Sequence, residues 1–207
     1  MIEVYLEIGQ KRTFASALVW PGWCRAARDE ETALQALIDY APRYSAVVGA
    51  VEPDFEPPAV VDGLRVTARL NGDATTDFGA PGAIPAADGE PVGPAEFERL
   101  VALLDACWSA FEEAARSATG KRLATGPRGG GRDLENIRQH VVQAEESYAR
   151  TVGGGTNFGE ALRARWRGEV PDTGPRGGLR WPVRYAVRRS AWHLLDHAWE
   201  IEDRASS

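Results

Sequence analysis

The sequence predicts an α+β protein in which a small β-β-β-α-β domain is followed by an all-α four-helix bundle. Over residues 2–8 and 64–70, apolar residues alternate with polar ones, which is typical of half-buried strands. From residue 94 onward they recur with the 3.6-residue period of amphipathic helices. The stretch between is dominated by Gly, Ala, Pro and Asp. We therefore predict one domain over residues 1–70, a linker or lid over 71–93 and a helical domain over 94–207.

The predicted first domain begins with a β-hairpin and contains one helix. Its four strands are predicted over residues 2–8, 13–19, 24–28 and 64–70. Between the third and fourth strands, Asp29 has the side chain of a typical N-cap. We expect the helix that follows Asp29 to end or kink at Pro42, because proline lacks the amide proton that a helix interior needs.

Four helices are predicted in the second domain, over residues 97–111, 133–148, 157–166 and 182–204. Asp133 is a typical N-cap, and Pro182 suits the first turn of the last helix. The relative direction of the second and last of these helices stays open. His140 lies 7 residues after the start of its helix, whereas the midpoint of His193 and His197 lies 13 residues after the start and 9 before the end of the last helix. These positions align better if the two helices are antiparallel. The short connection over 153–156 is typical of antiparallel sequence neighbours, which would instead make the second and last helices parallel.

Composition excludes several classes of protein. No apolar run approaches the ~20 residues of a membrane span, and residues 1–9 lack the basic and hydrophobic regions of a signal peptide. We therefore expect a cytoplasmic protein without a membrane partner. The two cysteines, Cys24 and Cys107, are too few and too far apart for a disulfide framework or a thiolate zinc site.

The charge distribution argues against nucleic acid as a partner. Residues 1–92 hold 7 basic and 14 acidic groups, and residues 93–207 hold 17 basic and 16 acidic groups. Neither part has the cluster of Lys and Arg that binds a phosphate backbone. We expect a small-molecule substrate instead, and the sequence leaves a homodimer open.

The three histidines of the chain all fall in the predicted helical domain. His140 lies on the second helix, and His193 and His197 lie one turn apart on the last helix. Residues i and i+4 share a helix face, so the pair can present two imidazoles to one ion. Three neutral imidazoles with an open position form a catalytic type of metal site. The spacing alone is also typical of ordinary core or capping histidines.

Residues 132–134, 140–145 and 148, followed by residues 192–200, resemble the DinB-like (DinB/YfiT) superfamily. The resemblance implies a four-helix bundle of up-down-down-up topology. It also implies that His140, His193 and His197 bind a divalent metal, zinc or nickel. Members include S-transferases and isomerases that use a low-molecular-weight thiol, and some hydrolases. In that chemistry the metal lowers the pKa of a bound thiol or water.

A second resemblance covers residues 1–50. Residues 14–17, 20–24 and 29–34 are similar to the HicB family, in which a strand and a Pro-Gly-Cys turn precede a helix. The chain departs from that pattern by placing Trp23 between Gly22 and Cys24. Antitoxin function does not follow, because no basic helix-turn-helix is visible. The alternative function is a non-enzymatic binding or regulatory module, with a HicB-like domain that docks a protein and a metal that is structural.

Polar residues close to the histidines in helical angle are candidates for orienting a ligand or moving a proton. The catalytic candidates are Glu145, Asp196 and Glu200. The candidates for contact with a ligand histidine or a substrate are Arg189, Tyr148, Trp192 and Arg128. Arg128 belongs to a Gly-Pro-Arg-Gly-Gly motif at 126–130 that recurs at 174–178, and such a loop before a helix can bind an anion. The alternatives are surface ion pairs, core aromatic rings and flexible loops.

Overall fold

The computed structural model describes residues 1–126, 131–175 and 177–205. The chain forms two compact units, Met1–Glu90 and Pro91–Ser207. All strands of the described sheet belong to the first unit, and the second unit is helical. The predicted α+β class, with strands first and helices after them, is therefore confirmed. The boundary between the units falls inside the stretch predicted as a linker.

The first unit contains a four-stranded sheet of order β3-β2-β1-β4. The strands are β1 (Ile2–Ile8), β2 (Thr13–Ala17), β3 (Cys24–Ala27) and β4 (Leu64–Asn71). β2 pairs antiparallel with both β1 and β3, and β4 pairs parallel with β1. In the two central strands burial does not alternate: Val4 to Glu7 of β1 and every residue of β2 are buried, so both faces of these strands are covered. In β4 every second residue is exposed, as the sequence pattern predicted.

Two helices connect β3 to β4 where the sequence predicted one. α1 (Glu30–Asp39) begins at Asp29, whose side chain accepts a hydrogen bond from the Thr32 amide at 2.9 Å. α1 ends before Pro42, and α2 (Ala41–Val48) begins there with this proline in its first turn. The prediction that Pro42 ends a helix holds, but the same residue also favours the start of another, because its fixed φ suits a first turn.

Trp23 has a structural role in the core of the first unit. Its ring is fully buried and stacks on Tyr44, with ring centroids 5.6 Å apart. Its indole N–H donates to the Leu37 carbonyl oxygen at 2.9 Å. A buried indole needs such an acceptor. Trp23 therefore joins the turn before β3 to both α1 and α2.

Glu7 binds the segment after β4 to the sheet through hydrogen bonds. The alternating pattern of β1 predicts Glu7 on the polar face, yet the structure buries it completely. Its carboxylate accepts hydrogen bonds from the Thr76 hydroxyl and from the amides of Gly82 and Ala83, both at 2.9 Å. Thr76 lies in α3 (Ala74–Phe78). Residues 74–83 therefore contain a helix and are bonded to β1.

The second unit consists of four described helices. They are α4 (Pro94–Ser117), α5 (Leu134–Val152), α6 (Phe158–Trp166) and α7 (Val183–Ala205). α7 packs against each of the other three. Its buried apolar side chains include Val187, Ala191, Leu194, Leu195, Ala198 and Ile201. No helix in the described ranges is long and apolar enough to cross a membrane.

Contacts along the helices give their directions. Near the first residues of α4 and α7, Arg184 pairs with Glu96 at 2.6 Å. Beyond the end of α4, the Ala124 amide donates to the Arg204 carbonyl oxygen at the end of α7, at 3.0 Å. α4 and α7 therefore run parallel.

α5 runs antiparallel to α7. His140, in the first half of α5, approaches His193 in the middle of α7. Thr151, at the end of α5, accepts a hydrogen bond from the Trp181 amide just before α7. The structure thus has the antiparallel arrangement that the positions of the histidines along the two helices favoured.

Glycines explain how a short connection joins helices that run the same way. α6 runs antiparallel to α4, because Trp166 at its end stacks on Phe97 near the start of α4, with centroids 4.2 Å apart. α5 and α6 are therefore parallel. A Cβ on Gly153 would come within 2.5 Å of the Ala161 carbonyl oxygen, and the next two glycines take left-handed φ angles of 99° and 73°. Only glycine permits both the close approach and this reversal.

Candidate metal centre

The three histidines meet between α5 and α7. One ring nitrogen from each of His140, His193 and His197 lies within 4.8 Å of the others. The Nε2 atoms of His140 and His193 are 3.2 Å apart. Two nitrogens bound to one zinc ion at about 2.05 Å and at a tetrahedral angle lie about 3.3 Å apart. The His140 and His193 nitrogens therefore have the spacing of two imidazoles on one zinc ion, and the nitrogen of His197 lies within 4.8 Å of both.

Burial favours the neutral, metal-binding form of His193 and His140. His193 and His197 are buried, and His140 is half-buried. Burial lowers the pKa of His193 well below its usual range, and nearby positive charge from His197 and Arg189 adds to this. Burial, followed by the charge of His197, also lowers the pKa of His140. Neutral imidazole has a free lone pair, so these two side chains need not lose a proton before binding a metal.

Glu200 orients His197. Its Oε2 lies 2.8 Å from His197 Nδ1, and its Oε1 accepts from Arg204 Nη1 at 2.6 Å. Burial alone would raise the pKa of Glu200, but the hydrogen bonds and charges of His197 and Arg204 lower it to about 2. An ionised carboxylate accepts a hydrogen bond from Nδ1–H, which leaves Nε2 of His197 as the nitrogen that can face a metal. A carboxylate in this position fixes the tautomer of a ligand histidine.

Sequence reasoning missed Arg204, which supports Glu200. Arg204 is only 4% exposed, and its guanidinium also donates to the carbonyl oxygens of Ala124 and Arg132, both at 2.6 Å. It therefore joins the end of α7 to two points of the connection between α4 and α5. The i+4 spacing from Glu200 was visible in the sequence. The two carbonyl partners depend on the tertiary fold, so they were not visible in the sequence.

Glu145 is buried on α5, where its described partner is Ser190 of α7. The Ser190 hydroxyl donates to Glu145 Oε1 at 2.7 Å, and Oε2 has no hydrogen-bond partner among the described residues. Burial raises the pKa of Glu145 to about 7. The residue also lines a cavity of about 400 Å³ between α4, α5 and α6, whose walls include Leu104 and Phe158. Ser190 is a second residue that the sequence did not single out.

Three of the remaining candidates, Tyr148, Trp192 and Arg189, lie near His193. The rings of Tyr148 and Trp192 lie 5.8 and 6.1 Å from the His193 ring, between centroids. The guanidinium carbon of Arg189 lies 4.6 Å from the Trp192 ring centre and 5.4 Å from that of Tyr148. Asp196 is buried on α7. Arg128 lies outside the described residues.

Comparison with known proteins found no matching family model, no matching curated protein and no matching solved structure. The geometry of the histidine cluster is therefore the basis for the functional argument.

Proposed function

We propose that the protein binds one divalent metal ion, zinc or nickel, through His140, His193 and His197. We propose further that it is an enzyme acting on a small molecule, either a thiol-dependent S-transferase or isomerase or a hydrolase. The observation that carries the metal proposal is the convergence of three ring nitrogens within 4.8 Å. The reaction class rests on the resemblance to the DinB-like superfamily.

The ligand set suits a catalytic site better than a structural one. The described cluster offers three histidine nitrogens, and a tetrahedral ion with three protein ligands keeps a fourth position for water or substrate. His140 is half-buried, so the cluster is accessible from its side. When bound, the metal would lower the pKa of a thiol or water so that the anion forms at neutral pH. A low-molecular-weight thiol is the proposed co-substrate.

The surrounding carboxylates have different proposed roles. Glu200 is a positioning residue, because it bonds His197 and is itself held by Arg204. Asp196, buried on the same helix, remains the candidate for moving a proton near the cluster. Glu145 has Ser190 as its partner, so its proposed catalytic role has less geometric support.

Metal content and affinity test the proposed site. We expect about one zinc or nickel equivalent in protein purified without added metal. His140→Ala, His193→Ala and His197→Ala should each weaken binding by roughly a hundredfold or more, because two imidazoles hold the ion poorly. Competition with a chromogenic chelator measures this affinity. Gln143→Ala, at an exposed position of α5, is the matched control and should bind like the wild type. Equal affinity in all five proteins would refute the site.

The alternative, a binding module with a structural metal, predicts a different spectrum. Cobalt in place of zinc should show a sulfur-to-metal charge-transfer band on addition of a small thiol if a coordination position is open. If thiols leave the cobalt spectrum unchanged and the bound ion exchanges no water, the binding module with a structural metal is favoured.

A further inference from the structure

A positively charged side chain lies beside the histidine cluster, and no carboxylate of the described residues pairs with it. Arg189 is one helical turn before His193 on α7 and is half-buried. Its buried Nη1 has no hydrogen-bond partner among the described residues. An arginine cannot shed its charge by losing a proton, and a buried N–H without an acceptor is unfavourable. The position therefore favours a ligand that supplies an acceptor.

Three other arginines of this unit that are largely buried pair with carboxylates. Arg184 pairs with Glu96, Arg165 with Asp172 and Arg204 with Glu200, each at 2.6 Å. Arg189 lies instead against the faces of Tyr148 and Trp192. Aromatic faces attract a guanidinium but leave its in-plane N–H groups available to an anion.

The same aromatic rings connect Arg189 to the metal centre. Tyr148 and Trp192 each contact both Arg189 and His193. Arg189 and His193 lie on the same helix, four residues apart, and so share one face of α7. One helical turn separates the two residues by about 6 Å along the axis. A molecule with two functional groups a few atoms apart can span that distance.

We propose that Arg189 binds a carboxylate of the same small molecule whose donor atom reaches the histidine cluster. This inference rests on the proposed function and narrows the substrate class to small carboxylic acids that also carry a thiol or hydroxyl group. Tyr148 and Trp192 would pack against the carbon chain between the two groups.

Two thiols of similar size test the inference in cobalt-loaded protein. Mercaptoacetate has a carboxylate where 2-mercaptoethanol has a hydroxymethyl group, and the charge-transfer band reports the binding of each. We expect the wild type to bind mercaptoacetate at least about tenfold more tightly, because a charged hydrogen bond to arginine has about that effect on affinity. Arg189→Gln should lose this preference while it keeps its affinity for cobalt and for 2-mercaptoethanol. Arg189→Lys should retain part of the preference.

Arg150→Gln removes the same charge from an exposed position of α5 and serves as the control. It should keep the full preference, and circular dichroism should show the same helix content in every variant. If Arg189→Gln still prefers mercaptoacetate, the preference arises from direct chelation of cobalt by the carboxylate. That result would overturn the proposed role of Arg189. Equal binding of the two thiols by the wild type would also overturn it, with the metal site intact. A wild type that binds no cobalt would refute the proposed function and this inference together.

Discussion

At the residue scale, helical spacing predicted which histidines form the candidate metal centre. It did not predict Arg204 and Ser190, which hydrogen-bond to the carboxylates nearby. His193, His197 and Glu200 share one face of α7, and that follows from their numbers alone. The hydrogen bonds of Arg204 to two loop carbonyls and of Ser190 to Glu145 join residues 45 to 80 positions apart. Such contacts depend on the packing of separate helices, so no local pattern in the sequence contains them.

Glu145 gives a residue-scale prediction about pH and stability. Burial raises its pKa from 4.5 to about 7, so the folded protein holds this proton more tightly than the unfolded chain does. The stabilising contribution is complete below about pH 4.5 and is lost as the pH rises through 7. It amounts to at most about 3 kcal/mol. Glu145→Gln, which cannot ionise, should lack this loss.

Urea unfolding of the metal-free wild type and of Glu145→Gln at pH 5 and pH 8 measures the effect. The free energy of unfolding of the variant should rise relative to that of the wild type by about 2 to 3 kcal/mol between the two pH values. Glu146→Gln, one residue along α5 and less buried, should show little change. Parallel pH profiles for wild type and Glu145→Gln would show that Glu145 has an ordinary pKa.

At the element scale, periodicity predicted where strands and helices form better than how they connect. The strand over 2–8 and the helices over 97–111 and 182–204 match β1 and parts of α4 and α7. The second helix starting at Pro42 and the short helix α3 were not predicted. Each is only one or two turns long, so it carries too few residues for a clear period.

Glu7 provides the element-scale prediction. Its buried carboxylate is bonded to Thr76, Gly82 and Ala83, so Glu7→Ala leaves three donors without their acceptor. We expect a loss of about 2 to 4 kcal/mol in the stability of the bonded segment. Thermolysin should then cut within residues 74–84 much faster than in the wild type, as mass spectrometry of the fragments would show. Glu3→Ala, at a partly exposed position of the same strand, is the control. Equal cleavage of both variants would mean that Glu7 does not hold the segment.

At the scale of the whole molecule, the sequence predicted two parts of different character, and the structure contains two compact units. The direction of α5 relative to α7 could not be decided from loop length. Gly153 to Gly155 allow a five-residue connection to turn back along α5, an arrangement that short loops seldom support. This reversal gives α5 and α7 the antiparallel pairing that brings His140 to His193.

Because the histidine cluster lies wholly within the second unit, metal binding should stabilise that unit selectively. A ligand at about 1,000 times its Kd adds about 4 kcal/mol to the stability of the state that binds it. Hydrogen exchange with zinc and with chelator measures this along the chain. We expect zinc to slow exchange strongly in α5 and α7 and to leave β1, β2 and β3 unchanged. His193→Ala, with an affinity weakened about a hundredfold, should retain at most about 1.4 kcal/mol of this stabilisation and show much weaker slowing in α5 and α7. Equal slowing in the sheet and in the helices would contradict a site confined to the second unit, since local binding protects the elements that supply the ligands.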